Sequence, residues 1–120
     1  MVGALAGLGW MINWARIKEL NDEIGSEDFA EVVELFLSEA GTVVARLRDS
    51  PEPAGLEGEL HFLKGGVLNL GFEEVARLCQ EGEVLAAQGN AGQIDLQAII
   101  TAYDNAKASF LEEMPLRLSV

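Results

Sequence analysis

His61, Lys64 and the glycines around them are the residues of this 120-residue chain whose types and spacing suit chemistry. His61 is the sole histidine and opens the run His61-Phe62-Leu63-Lys64-Gly65-Gly66-Val67-Leu68-Asn69-Leu70-Gly71. Neutral imidazole, with a reference pKa of about 6.5, is a nucleophile near neutral pH, which makes an exposed histidine a candidate phosphoryl acceptor. Lys64, three residues on, falls beside the ring, where a cation attracts an incoming phosphoryl group and offsets its charge. Gly58 and Gly65, at i−3 and i+4, strip side chains from the surface around the ring. A mid-helix glycine costs roughly 0.5–1 kcal/mol relative to alanine. Close approach of another protein's backbone is a reason to keep Gly58, Gly65 and Gly66 at that cost.

These residues need a helix to hold them, expected from about Ala54 to Leu70. On a wheel of about 100° per residue, Leu56, Leu60, Leu63, Val67 and Leu70 gather on a side centred about 140° from His61. His61 therefore points outward, with Glu57, Gly58, Lys64, Gly65 and Leu68 on its own face. Leu68 puts an apolar side chain on that exposed face, as a docking surface would. A lone histidine on a helix is most often an ordinary solvated residue, so this geometry needs support from the rest of the chain.

The remaining apolar pattern is helical throughout. Phe29, Val32, Val33, Phe36, Leu37, Ala40, Val43, Val44 and Leu47 keep one face, with Ser26 as the expected N-cap and Glu27 and Asp28 in the first turn. Phe72, Val75, Ala76, Cys79, Gly82 and Ala86 form another stripe. Leu96, Ile99, Ile100, Tyr103, Ala106, Phe110, Leu111 and Met114 form a last one, with Asp95 in its first turn and Pro115 at its end. A shorter helix from Asn13 to Ile24 turns Ile17, Leu20 and Ile24 inward. Turn signals at Gly25, at Pro51 to Pro53, at Gly71 and at Gly89 to Gly92 separate the segments. No segment alternates with a period of two. The fold expected is all-α, an antiparallel up-down four-helix bundle with an additional short N-terminal helix.

Composition bounds the partners. An apolar content of 49% suits one folded domain. A formal net charge of −12, from 8 basic and 20 acidic residues, opposes nucleic acid and anionic membranes. Cys79 is the sole cysteine, so no internal disulfide forms and a cytoplasmic location is expected. It falls on an apolar stripe and reads as core. Residues 1–11 read as an N-terminal extension or a cloning remnant, with Met11 an alternative start. Trp10 and Trp14 cover the end of the bundle or belong to that extension. Residues 12–115 read as the bundle and 116–120 as a tail. A metal-binding bundle would need several inward Glu and His residues, and these stripes are apolar.

His61, Lys64, Gly65, Asn69, Leu70 and Gly71 fall in the register His-x-x-Lys-Gly, four variable positions often ending in asparagine, an apolar residue and glycine. That run resembles the histidine-containing phosphotransfer (HPt) domains of two-component phosphorelays. Ala76, Cys79 and Glu83 downstream, and Gly25, Phe29 and Leu35-Phe36-Leu37 upstream, extend the similarity over roughly Ile12 to Met114. The resemblance implies that His61 accepts a phosphoryl group on Nε2 from the aspartyl phosphate of a receiver domain and passes it to another receiver. Lys64 would position and neutralise the phosphate. Gly58, Gly65, Leu68 and Glu57 would meet the partner.

Mg²⁺ would come with the receiver, and no cofactor with this chain. With no second histidine and no ATP-binding glycine loop, the chain is expected to be a monomeric carrier and not a kinase. Receivers and a hybrid histidine kinase are its expected partners. Two departures stand out. Position 66 is often serine or alanine in the family and is glycine here. Some members contact the ring through a glutamine of the neighbouring helix, for which Glu83 or Gln80 is the nearest equivalent here. A carboxylate there would repel a phosphoryl group, so Glu83 is expected either to orient the unloaded ring or to face water. The rival reading is a helical adaptor that binds a receiver or kinase without taking phosphate.

Overall fold

Asn13 opens the first helix by accepting a hydrogen bond from the Arg16 backbone N–H at 3.1 Å, satisfying one of the donors that a helix start leaves unpaired. The computed structural model describes residues 12–118, with side chains through Met114, so Met11, Trp10 and the tail beyond Leu118 lie outside the described residues. Helix α1 spans Trp14–Ile24, α2 Ser26–Asp49, α3 Leu56–Asn69, α4 Glu73–Ala87 and α5 Leu96–Leu118. Short 3₁₀ turns at Pro53–Gly55 and Ala91–Gln93 lead into α3 and toward α5.

Neighbouring contacts run α2 to α3, α3 to α4, α4 to α5 and α5 back to α2, with α3 and α4 the most extensive pair. That closed ring of neighbours is a four-helix bundle. Helix α1 packs on α2 and on α3, as the additional N-terminal helix. The all-α expectation therefore holds. Among the described residues the only β-type pairing is an isolated antiparallel bridge, Ile12 to Phe72.

The stripes read from the sequence supply the core. Leu56, Leu60, Leu63 and Val67 of α3 are all buried, as are Phe72, Val75 and Cys79 around α4. Burying one such aliphatic side chain contributes about 1.5–3 kcal/mol. Burial of two of them therefore offsets the roughly 1.5–3 kcal/mol that three glycines cost α3. Phe72 meets Tyr103 and Phe110 edge to face, and Trp14 stacks on Phe110 with ring centroids 5.6 Å apart. Trp14 thus closes the core.

Four local expectations need correction. Gly25, not Ser26, is the residue before α2. It joins α1 to α2 alone at φ +96°, and its carbonyl accepts from Phe29 N at 3.0 Å. A one-residue connection needs a positive φ, which glycine adopts without a Cβ clash, and Ser26 becomes the first helical residue. Asp95 is the residue before α5 and accepts from Ala98 N at 3.0 Å, a capping role. Helix α5 continues through Pro115 to Leu118. Proline removes one backbone donor, and the carbonyl deprived of it belongs to Leu111, which is 48% exposed and so lies at the water side. That exposure also takes Leu111 out of the core stripe.

The α3–α4 turn is tied to α1. Gly71 has φ +72°, its carbonyl accepts from Asn13 N at 2.6 Å, and a Cβ there would lie 2.6 Å from Asn13 O. Asn13 Nδ2 also donates to Glu73 Oε2 at 2.8 Å. Two residues before Gly71, Asn69 Oδ1 accepts from Arg16 and Asn69 Nδ2 donates to the Gly65 carbonyl. Asn69 and Gly71 thus anchor the end of the histidine helix.

Candidate functional site

His61 lies on α3 with its side chain 71% exposed. The buried stripe on the opposite side of α3 fixes that rotation, because Leu60 and Leu63 on either side are fully buried. The neighbour across the helix pair is α4, brought close by Gly82. A Cβ at Gly82 would lie 2.5 Å from Leu60 Cδ1. Any larger residue at this separation would force Leu60 to shift.

That closeness brings α4's polar edge to the ring. His61 Nδ1 lies 2.9 Å from Glu83 Oε1, and Lys64 Nζ lies 2.8 Å from Glu83 Oε2. Lys64 Nζ also donates to Gln80 Oε1 at 2.7 Å. One carboxylate thus spans both residues singled out in the sequence. Glu83 is the residue on the ring, and Gln80 holds the lysine. The two alternatives left open by the sequence take different jobs.

Electrostatics fix the proton on the ring. Burial would raise the Glu83 carboxyl, but hydrogen bonds and charge from Lys64 and His61 outweigh it and hold the group below the usual carboxylate range. An ionised carboxylate only accepts hydrogen bonds. Nδ1 therefore carries the hydrogen and donates it, and in the neutral ring the lone pair sits on Nε2. Lys64 gives one of its three N–H donors to Gln80 and pairs by charge with Glu83 Oε2. Beneath this layer Cys79 is fully buried, and burial, reinforced by the charge of Glu83, pushes its thiol up to about 12.

A groove of about 410 Å³ runs between α2 and α3 with His61 at its edge, lined by Phe36, Glu39, Ala40, Phe62, Gly65, Gly66 and Asn69 among others. Phe62 is 53% exposed. No atom lies within 4 Å of where a Cβ would stand on Gly58, Gly65 or Gly66, so internal packing does not demand these glycines. Gly65 shares the groove with His61. Leu68, 47% exposed, lines a separate depression with Asn13, Arg16 and Glu73. Glu57 and Gly58 are exposed in the first turn of α3. The sequence placed Phe36 on the core stripe and gave Phe62 and Glu39 no role, although a large aromatic next to His61 on a helix whose buried side lies elsewhere was a readable signal.

Among the described residues, no three His, Cys, Asp or Glu side chains gather where they could hold a metal ion. No described helix is long and apolar enough to cross a membrane. No curated protein and no solved structure matches the chain. The family model of the Hpt domain matches residues 31–114, which covers α3 and α4 entirely, most of α2 and α5, and the whole site. Hpt domains are phosphocarriers, not kinases, and act in histidine phosphotransfer with receiver domains and histidine kinases of two-component phosphorelays. The chain belongs to the Hpt domain family.

Proposed function

We propose that this chain is a phosphorelay carrier in which His61 takes a phosphoryl group from a receiver's aspartyl phosphate and hands it to a second receiver. The observation that carries the reading is the His61–Glu83 contact at 2.9 Å on a ring that is 71% exposed. It holds Nδ1 inward and leaves Nε2, with its lone pair, on the solvent side. Transfer of this kind depends mainly on in-line placement and charge neutralisation. The chain contributes the nucleophile and Lys64, whose ammonium keeps N–H donors beyond the one given to Gln80 for a phosphoryl oxygen. The receiver contributes the aspartate and Mg²⁺.

Docking uses the α2–α3 groove, where bare Gly65 and Gly66 let a partner's backbone approach and Phe36 and Phe62 supply apolar contact. Gly58 and Glu57 lie along the same side of α3. Leu68 belongs to the rim of this surface at most, since it opens into the other depression.

The test is transfer of labelled phosphate from a phosphorylated receiver domain. The wild-type chain gains acid-labile, base-stable label, and His61→Gln gains none while keeping its helical circular dichroism. Label of that kind on the glutamine variant overturns the assignment. A chain that binds the receiver yet never takes label is an adaptor.

A further inference from the structure

The groove beside His61 carries charge as well as apolar surface, and its unpaired charge has one sign. Glu39 of α2 lines the groove, facing the side that Phe62 and Gly65 build from α3. Leu35, one turn before Glu39 on α2, is exposed, as is Phe62. Glu31, a turn before Leu35, and Glu57, a turn before His61, are exposed too. None of Glu31, Glu39 and Glu57 has an ion-pair or hydrogen-bond partner among the described residues. The cations on this side are already matched. Arg46 donates to Glu59 at 2.7 Å, Lys64 pairs with Glu83 at 2.8 Å, and Arg16 at the far end of α3 pairs with Glu19 and Glu23.

Resting on the carrier reading above, we infer that this chain selects receivers whose apolar contact surface is rimmed by Lys or Arg, with Glu39 the main discriminating residue and Glu31 and Glu57 beside it. Apolar contact alone does not choose among receivers, since Leu35, Phe36 and Phe62 accept any apolar patch of the right shape. Charge does choose. A basic rim pairs with carboxylates that are otherwise unmatched and speeds encounter, whereas an acidic rim meets like charge and is rejected. The formal net charge of −12 adds a long-range field of the same sign. The receiver's own aspartate comes over His61, so its cations belong at the periphery, opposite Glu39 and Glu57.

The experiment measures the second-order rate at which label passes to the full chain from a phosphorylated receiver domain. The probe is the receiver, among those encoded in the same genome, that loads the wild-type chain fastest. Salt shortens the reach of exposed charges to about 10 Å at 0.1 M and about 3 Å at 1 M. Raising NaCl from about 0.02 M to about 0.5 M should therefore lower the rate about fivefold or more. Glu39→Lys should lower it about tenfold at low salt and flatten the salt dependence, and Glu39→Gln about threefold. Glu112→Lys makes the same change in net charge at an exposed position of α5, across the bundle from α3, and should stay within about twofold of wild type. Reversing the rim Lys and Arg residues of that receiver to Glu, one at a time, should restore transfer to Glu39→Lys at one position or more. A rate indifferent to salt, a faster Glu39→Lys, equal losses in Glu39→Lys and Glu112→Lys, or no restoring reversal overturns the inference and leaves the carrier reading standing. A wild-type chain that takes label from no receiver overturns both.

Discussion

Alanine at Gly82 and alanine at Gly66 should change stability in opposite directions, although both replace a glycine within a helix. The propensity gain is common to both, roughly 0.8–1 kcal/mol. At Gly66 nothing lies within 4 Å of the new Cβ, so the gain is realised and the variant is more stable by roughly 0.5–1 kcal/mol. At Gly82 the Cβ would meet Leu60 Cδ1 at 2.5 Å and Ile94 Cγ2 at 3.3 Å. Leu60 is fully buried, so moving its Cδ1 aside means repacking the core around it. Overpacking of this kind costs about 1–3 kcal/mol, so the net effect is a loss of about 1 kcal/mol. Urea unfolding followed by far-ultraviolet circular dichroism should separate the midpoints by roughly 1 M, given a slope of about 2 kcal/mol/M. Gly82→Ala should also push α4 outward and lengthen the Glu83 contact, read as loss of the Nδ1–H tautomer in ring ¹⁵N spectra. If both variants are stabilised alike, Gly82 does not set the distance between α3 and α4, and the account of how Glu83 reaches His61 fails.

Further outcomes follow from the same geometry. Gly71→Ala combines a left-handed backbone with a clash against Asn13 O, and should cost about 2–4 kcal/mol. Gly89→Ala, at φ +81° with open space around it, should cost only about 1–2 kcal/mol. Equal losses in urea unfolding would show that the α1 contact adds nothing. Glu83 is held below the usual carboxylate range, so its stabilising share is full above the unfolded value of about 4.3 and is lost as pH falls through its lower folded value. The stability difference between wild type and Glu83→Gln should therefore shrink between pH 5 and pH 3, and a difference that stays constant refutes the pairing. Cys79, buried and with its thiol pushed up to about 12, should resist an aromatic disulfide reagent at pH 8 until urea is added. Rapid reaction of the folded chain would contradict its burial.

What the sequence made legible follows from what a helical period contains. The period reports azimuth, so it found the outward turn of His61, the buried stripe of α3 and the core position of Cys79. It carries no information on polar contacts between residues far apart in the chain. The bonds of Asn13 to Gly71 and Glu73, and of Arg16 to Asn69, join segments more than fifty residues apart. Gln80 and Glu83 differ by one turn on the same edge of α4, so only the axial offset of α4 against α3 decides which one meets the ring. The same missing coordinate explains Leu68. It shares an azimuth with His61 but stands seven residues on, about 10 Å along the axis, and opens into the depression beside Arg16. Phe62 departs from the His61 azimuth by about 100°, yet at nearly the same height it lines the groove with His61. Under the docking proposed above, a partner that reaches His61 crosses the helix axis toward α2, over Gly65 and Phe36, and does not run along α3 toward Leu68.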